Sequence, residues 1–145
     1  MGRSRGGFST KIHLRAEGCG KPVVFELTAG QRHEQEVLEA LLEEGHVKRP
    51  KQGRPRIRPR RVVGDKGYSS RKARHYLHRR GIGAVIPRRT YERRGSLDKE
   101  RYRERNRVER LINRLKQFRR VATRYEKLAA NYLAILTIAA IVIWL

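Results

Sequence analysis

The sequence predicts an α/β fold in one domain, because short β-rich runs alternate with helical patterns along its 145 residues. The predicted order is strand, strand, helix, strand, helix, strand, helix, helix. The first two strands follow each other directly, which indicates an antiparallel hairpin and therefore a mixed sheet rather than a fully parallel one.

The predicted hairpin covers residues 8–28. "FSTKIHLRA" (8–16) alternates, with Phe8, Thr10, Ile12 and Leu14 on one face, as a half-buried strand does. "EGCGKP" has the glycines and proline of a turn, and "VVFEL" (23–27) is the second strand.

A helix and a basic loop come next. The helix lies within "TAGQRHEQEVLEALLEEGH", with an apolar stripe from Val37 to Leu42 and Gly45 as its stop. The loop 47–61 holds eight basic residues, three prolines and no acid, which excludes a helix interior and indicates an extended cationic segment.

The next elements are shorter. "RVV" (61–63) and "GAVIP" (83–87) are predicted strands, and "RKARHYLHRRG" (71–81) is a helix capped by Ser69 or Ser70. The composition of residues 88–100 predicts a polar loop. From Lys99 to residue 145 the pattern is helical, with a bend expected between 120 and 130.

The formal charge is +22, which makes nucleic acid phosphate the leading partner and an anionic membrane the second. The single cysteine, Cys19, excludes an internal disulfide and a cysteine-rich metal site. No apolar run at the start has the pattern of a secretory signal.

The uncharged stretch 128–145, "LAANYLAILTIAAIVIWL", has two interpretations. Its length is at the threshold of a membrane span, and basic residues precede it as in a tail anchor. Asn131 and Thr137 interrupt it, so a helix buried against the sheet is favoured.

Two carboxylates stand out. Asp65 is the single acid among sixteen Lys or Arg in residues 45–91, and it follows the "RVV" strand, where α/β sheets place their chemistry. Gly64 and Gly67 would allow close approach to it. A turn or helix-capping aspartate is an equally good interpretation of the position alone.

Glu109 shares one stripe of the last helical region with three other residues. At 100° per residue, Tyr102, Arg105, Glu109 and Lys116 fall within an arc of about 60° beside the apolar face. An ordinary i, i+4 ion pair on a solvated face explains Glu109 slightly better on geometry alone.

Several ordered motifs resemble insertion-sequence DDE transposases of insertion-sequence family 5. "YRERNRVERLINRLK" is similar to the Y-R-E-K signature, and "VVGDKGYSS" to the segment with the second catalytic aspartate. "GRSRGGFSTKIHL", "LTAGQRHE" and "LKQFRRVATRYEKLAANYLAILTIAAIVIWL" extend the likeness across essentially the whole chain.

The resemblance implies a ribonuclease-H-like mixed sheet flanked by helices, with three carboxylates that hold two Mg²⁺ ions, Mn²⁺ being an alternative. It makes Asp65 the second carboxylate and Glu109 the third. It also implies that the DNA or its phosphates are bound by Tyr102, Arg105, Lys116 and Lys66, and by the loop arginines Arg54, Arg56, Arg58, Arg60 and Arg61.

The same resemblance leaves one carboxylate without a counterpart. No residue matches the family's first aspartate, since Asp98 precedes the signature helix and Glu17 and Glu26 match no catalytic motif. We therefore expect the first strand to be missing and the chain, a partial catalytic domain over 1–145, to be nearly inactive alone. It is either a remnant or the second frame of a frameshifted enzyme.

The expected partners are transposon ends and target DNA, together with a second copy or the product of an upstream reading frame, and no membrane. The expected location is the bacterial cytoplasm, at the nucleoid. Two other functions stay open: a non-catalytic DNA-binding fragment that interferes with intact transposase, and a basic tail-anchored membrane protein.

Overall fold

The computed structural model describes residues 2–4, 7–45, 58–92 and 95–145. They fall into two compact units. The terminal unit combines Met1–Arg32 with Arg107–Leu145, and the central unit is His33–Asn106. Most of the basic loop 47–61, up to residue 57, lies outside the described residues.

A three-stranded antiparallel sheet forms one side of the terminal unit. Its strands are β1 (Gly2–Ser4), β2 (Gly7–Ala16) and β3 (Pro22–Ala29). The predicted hairpin is confirmed as the β2–β3 pair, in which Ile12 lies opposite Leu27. Its turn is closed by Glu17, whose Oε1 accepts hydrogen bonds from the backbone N–H groups of Cys19 (2.8 Å) and Lys21 (3.1 Å).

Three helices complete the terminal unit: α4 (Asn106–Lys116), which belongs to it from Arg107 onward, α5 (Arg119–Ala122) and α6 (Ala129–Trp144). Their buried side chains form one cluster with the partly buried Leu14, Phe25 and Leu27 of the hairpin. The cluster consists of Leu111, Leu115, Val121, Tyr132, Leu136, Ala139 and Ile143. The predicted buried helix is therefore confirmed for one face of α6.

The end of α6 is tied to the hairpin turn. The indole N–H of Trp144 donates to the carbonyl of Pro22 at 2.6 Å, and the Lys21 ammonium lies 4.8 Å from the centre of the indole. In the described parts of the chain, no helix combines the length and the apolar character needed to cross a bilayer.

The central unit alternates helices with a two-stranded parallel sheet. In chain order its elements are the 3₁₀ turn Glu34–Glu36, α1 (Leu38–Glu43), β4 (Arg61–Val63), the 3₁₀ turn Lys66–Tyr68, α2 (Arg71–Arg79), β5 (Gly83–Val85), α3 (Lys99–Tyr102) and the 3₁₀ turn Arg103–Arg105. Its core packs α1 against α2 and β5 through Leu38, Leu42, Ala73, Tyr76, Leu77, Ile82 and Ile86.

The α/β class is confirmed, but the described strands form two separate sheets instead of one mixed sheet. β4 and β5 are only three residues long and pair in parallel with each other, whereas β2 pairs with β1 and β3. The ribonuclease-H-like arrangement stays a prediction.

The helical stretch from Lys99 also differs from the continuous helix assumed for the signature. A 3₁₀ turn at Arg103–Arg105 separates α3 from α4. No side chain is buried between Lys99 and Arg105, so packing does not enforce a regular helix there. The expected bend is confirmed at residues 123–128, between α5 and α6.

Candidate active site

Asp65 lies just beyond the carboxyl end of β4. The backbone N–H of Gly64 donates to the carbonyl of Val85 at 3.3 Å, so the parallel pairing continues to the residue before Asp65. Asp65 then caps the turn Lys66–Tyr68, its Oδ1 accepting from the N–H of Gly67 at 2.9 Å. The capping interpretation is thus confirmed, and the exposed carboxylate occupies the predicted position.

Gly67 lies very close to this carboxylate. A Cβ atom on Gly67 would lie 3.0 Å from Asp65 Oδ1 and 3.0 Å from Glu34 Oε2. Its φ angle is not positive, so space rather than backbone conformation explains the glycine. Two carboxylates therefore meet at one glycine. Glu34 ends the family-like stretch "LTAGQRHE", but the sequence analysis gave it no role.

The carboxylates near Gly67 contribute to a raised pKa of the neighbouring Tyr68 side chain. Burial, followed by the charges of Asp65 and Glu34, raises the pKa of Tyr68 well above its ordinary value. A tyrosine is protonated at neutral pH in any case, so the effect of the shift is that Tyr68 loses its proton only well above pH 10.

The oxygen atoms of Asp65 and Glu34 are of the kind that Mg²⁺ and Mn²⁺ prefer. One oxygen of Asp65 is held by the Gly67 N–H, which orients the carboxylate. Within the described ranges, however, no group of three or more His, Cys, Asp or Glu side chains could hold a metal ion. The donors fit a divalent ion in chemistry but do not make a complete cluster.

The signature residues divide between the two units. Tyr102 and Arg105 belong to the central unit, where the Arg105 guanidinium lies 5.8 Å from the centre of the Tyr102 ring. Glu109 and Lys116 are exposed on α4, in the terminal unit. A 3₁₀ turn lies between Tyr102 and Glu109, so the segment is not one regular α-helix, and the single stripe through all four residues stays a prediction.

The remaining predicted DNA contacts are cations of the central unit. Lys66, Arg58, Arg60 and Arg61 are placed by the structure, and the three arginines flank or begin β4. Arg54 and Arg56 lie outside the described residues, so their predicted role stays a prediction.

A polar network fixes the loop that carries Asp65. Buried Ser69 donates to Glu92 Oε2 at 2.8 Å, and Arg74 binds the same carboxylate through Nε at 3.2 Å. Arg74 also donates to the carbonyl of Ile86 at 3.0 Å. Arg89, three residues before Glu92, donates to the carbonyl of Gly67 at 3.3 Å. The network therefore joins the loop after β5 to the middle of the Asp65 turn, at Gly67, and to the residue that follows it, Ser69.

Glu92 is the anchor of this network, and its side chain is only 9% exposed. Burial alone would raise the pKa of Glu92, but the hydrogen bonds from Ser69 and Arg74 outweigh it, and the pKa is lowered. The sequence predicted a polar loop here. The sequence offered one hint, since Glu92 is the single acid in "YERR". That hint does not indicate that the Glu92 side chain is buried.

Comparison with known proteins gives two matches. The family described as "Transposase DDE domain" matches residues 2–145. A Burkholderia cepacia protein, whose name assigns it as a transposase for insertion sequence element IS402, is 34% identical over 120 residues. The match covers 83% of this chain and 55% of that relative, so the chain spans about half of the relative's length. No solved structure shows a significant match.

Proposed function

Because the chain belongs to the family of transposase DDE domains, we propose that it acts in DNA transposition. It binds DNA and supplies Asp65 and Glu109 as metal-binding carboxylates for strand cleavage and transfer. The observation that carries the proposal is the exposed Asp65 carboxylate at the carboxyl end of β4, oriented by the Gly67 N–H.

A divalent ion, Mg²⁺ or Mn²⁺, would activate the attacking oxygen and stabilise the leaving oxygen of a phosphodiester when bound. Asp65 would hold such an ion through the carboxylate that the Gly67 N–H orients. Glu109 would contribute a second carboxylate from α4. A ribonuclease-H-like fold is our proposal for the architecture, and the α/β class supports it.

The cations bind and orient the DNA. Arg105 offers a planar guanidinium that can grip a phosphate with two hydrogen bonds, while Lys116 and Lys66 act as point charges. The arginines at the end of the basic loop, Arg58, Arg60 and Arg61, add phosphate contacts that give affinity without reading sequence. The DNA partners proposed are transposon ends and target.

Two carboxylates hold metal less firmly than three. Since the described residues contain no three-carboxylate group, we propose that strand cleavage needs a further carboxylate from a partner chain. That partner is a second copy or the product of an upstream reading frame.

A plasmid assay tests this proposal. The chain should bind supercoiled DNA and, with Mg²⁺ or Mn²⁺, nick it barely above the rate of the Asp65→Ala variant. Robust nicking by the chain alone that Asp65→Ala abolishes would contradict the need for a partner. Absence of DNA binding would contradict the proposed function itself.

The alternative function is DNA binding that interferes with an intact transposase. It is favoured because, among the described residues, no three His, Cys, Asp or Glu side chains form a cluster, even with Glu34 beside Asp65. Adding the chain to a reaction catalysed by an intact transposase distinguishes interference from a catalytic contribution. Inhibition that persists in Asp65→Ala supports interference, whereas stimulation of cleavage that Asp65→Ala removes supports a catalytic portion.

A further inference from the structure

A cleft in the central unit lies outside the carboxylate site. It has a volume of about 610 Å³ and lies between β5 and the segment 95–101. Its charged lining consists of Arg60, Arg61, Arg74, Arg88, Arg101 and Asp98. Five cations and one acid converge on a single cavity, which makes it strongly attractive to an anion.

The five arginines are not equally available. Arg74 is engaged with Glu92, and Arg101 Nε lies 3.2 Å from Asp98 Oδ2. For Arg60, Arg61 and Arg88, the described residues provide no acidic side chain within ion-pair distance. These three guanidinium groups are therefore the ones that an incoming anion would meet first.

One wall of the cleft is the backbone of β5, whose outer edge pairs with no other described strand. In the described residues β5 pairs with β4 alone, and its exposed residues Gly83 and Ala84 carry little or no side chain. Because Gly83 N–H and Val85 C=O face β4, the intervening Ala84 directs its N–H to the open edge. A backbone N–H beside guanidinium groups is a common setting for phosphate oxygens.

The lining also excludes some ligands. None of the described residues that line the cleft is aromatic, so a nucleobase would have no ring to stack on. A free nucleotide held by its base does not fit this composition. A chain of phosphates does, since guanidinium forks match phosphate oxygens in geometry.

We propose that this cleft binds the phosphodiester backbone of DNA and holds it without reading its sequence. The inference rests on the proposed function, to which it adds Arg88, Arg101 and the β5 edge. Asp98 limits the affinity, because it caps α3 through the Arg101 N–H at 3.0 Å and also neutralises the Arg101 side chain.

Equilibrium binding of duplex DNA over a range of salt tests the cleft. Arg60→Gln with Arg88→Gln, which removes two arginines of the cleft that have no acidic partner among the described residues, should weaken binding on the order of 10-fold or more and reduce the salt slope by about 1.8. The matched control is Arg71→Gln with Arg79→Gln, an equal charge change at two exposed positions of α2 outside the cleft. Equal losses in both pairs would overturn the cleft proposal while leaving DNA binding intact.

A second variant should change the DNA affinity in the opposite direction. Asp98→Asn keeps an N-capping side chain but removes the acid from the cleft, so DNA binding should tighten about fivefold. Glu100→Gln, an exposed neighbour that does not line the cleft, should tighten it less. Equal effects of the two would overturn the proposal.

Competition with inorganic phosphate at constant ionic strength separates backbone from free phosphate. A large molar excess of phosphate over DNA phosphate should be needed to displace DNA from wild type, and the Arg60→Gln, Arg88→Gln variant should need less. Displacement from wild type at phosphate concentrations equal to that of DNA phosphate would mean that the cleft prefers free phosphate, which overturns the proposal. If wild type binds no DNA at any salt concentration, the proposed function falls together with the cleft.

Discussion

At the scale of single residues, the meeting of Asp65 and Glu34 at Gly67 shows what a sequence can and cannot reveal. Asp65 could be predicted because it is an isolated acid behind a short β-branched strand. Glu34 could not, because its approach to Gly67 arises only when two separate 3₁₀ turns pack together. Local periodicity contains no information about that contact.

Replacing Gly67 with alanine tests this crowding. The new Cβ would lie 3.0 Å from an oxygen of each carboxylate, so both side chains must shift. We expect the free energy of unfolding to fall by about 1 kcal/mol, as in mild overpacking, measured by urea denaturation.

Gly64→Ala is the matched control in the same loop. Its Cβ would meet Ile86 at 3.5 Å, an ordinary contact, and its φ is not positive. Its unfolding free energy should change by less than about 0.5 kcal/mol. Equal effects of the two substitutions would show that Gly67 is not crowded.

At the scale of elements, the loop after β5 is the least predictable part of the central unit. Its composition predicted a polar loop and gave no sign that Glu92 turns inward, where Ser69 and Arg74 donate hydrogen bonds to its carboxylate. Hydrophobic periodicity predicted the hairpin strands β2 and β3 and the helices α1 and α2. It did not predict β1, nor that α3 and α5 are separate short helices. The break in helix 99–116 was not predictable, because charge spacing alone looks helical there.

Glu92→Gln should destabilise the chain by about 2 kcal/mol at neutral pH, because Arg74 loses a charged hydrogen-bond partner that is largely buried. Glu100→Gln, on the exposed surface of α3, should be nearly neutral. Thermal or urea denaturation measures both, and a neutral Glu92→Gln would contradict the anchoring role.

The lowered pKa of Glu92 gives this contribution a pH dependence. A carboxyl group with a lowered folded-state pKa stabilises above its ordinary pKa of about 4.3, and the contribution is lost as pH falls through the lower folded value. The stability gap between wild type and Glu92→Gln should therefore narrow on acidification below about pH 4. A gap that stays constant to low pH would contradict the ionised network.

The two faces of α6 give an element-scale test of its packing. Leu136 is fully buried in the cluster shared with the hairpin, so Leu136→Ala should cost about 2–5 kcal/mol. Ile138 is 58% exposed, and Ile138→Ala should cost less than about 1 kcal/mol. Comparable losses in urea denaturation would mean that α6 buries a different face.

At the scale of the whole molecule, the formal charge of +22 determines which class of partner the chain attracts. The charge by itself predicts a polyanionic partner, and family membership supports DNA as that partner. DNA affinity should fall on the order of 10³-fold between about 50 and about 200 mM salt. A binding constant that is insensitive to salt would contradict a phosphate-based interface.

The central proposal is that Asp65 and Glu109 are both metal-binding carboxylates. Electron paramagnetic resonance of Mn²⁺, titrated into the chain without DNA, tests it most directly. Asp65→Asn and Glu109→Gln should each weaken Mn²⁺ binding about tenfold or more, while Glu100→Gln leaves it unchanged. Mn²⁺ binding that is unaffected by either Asp65→Asn or Glu109→Gln would contradict the account.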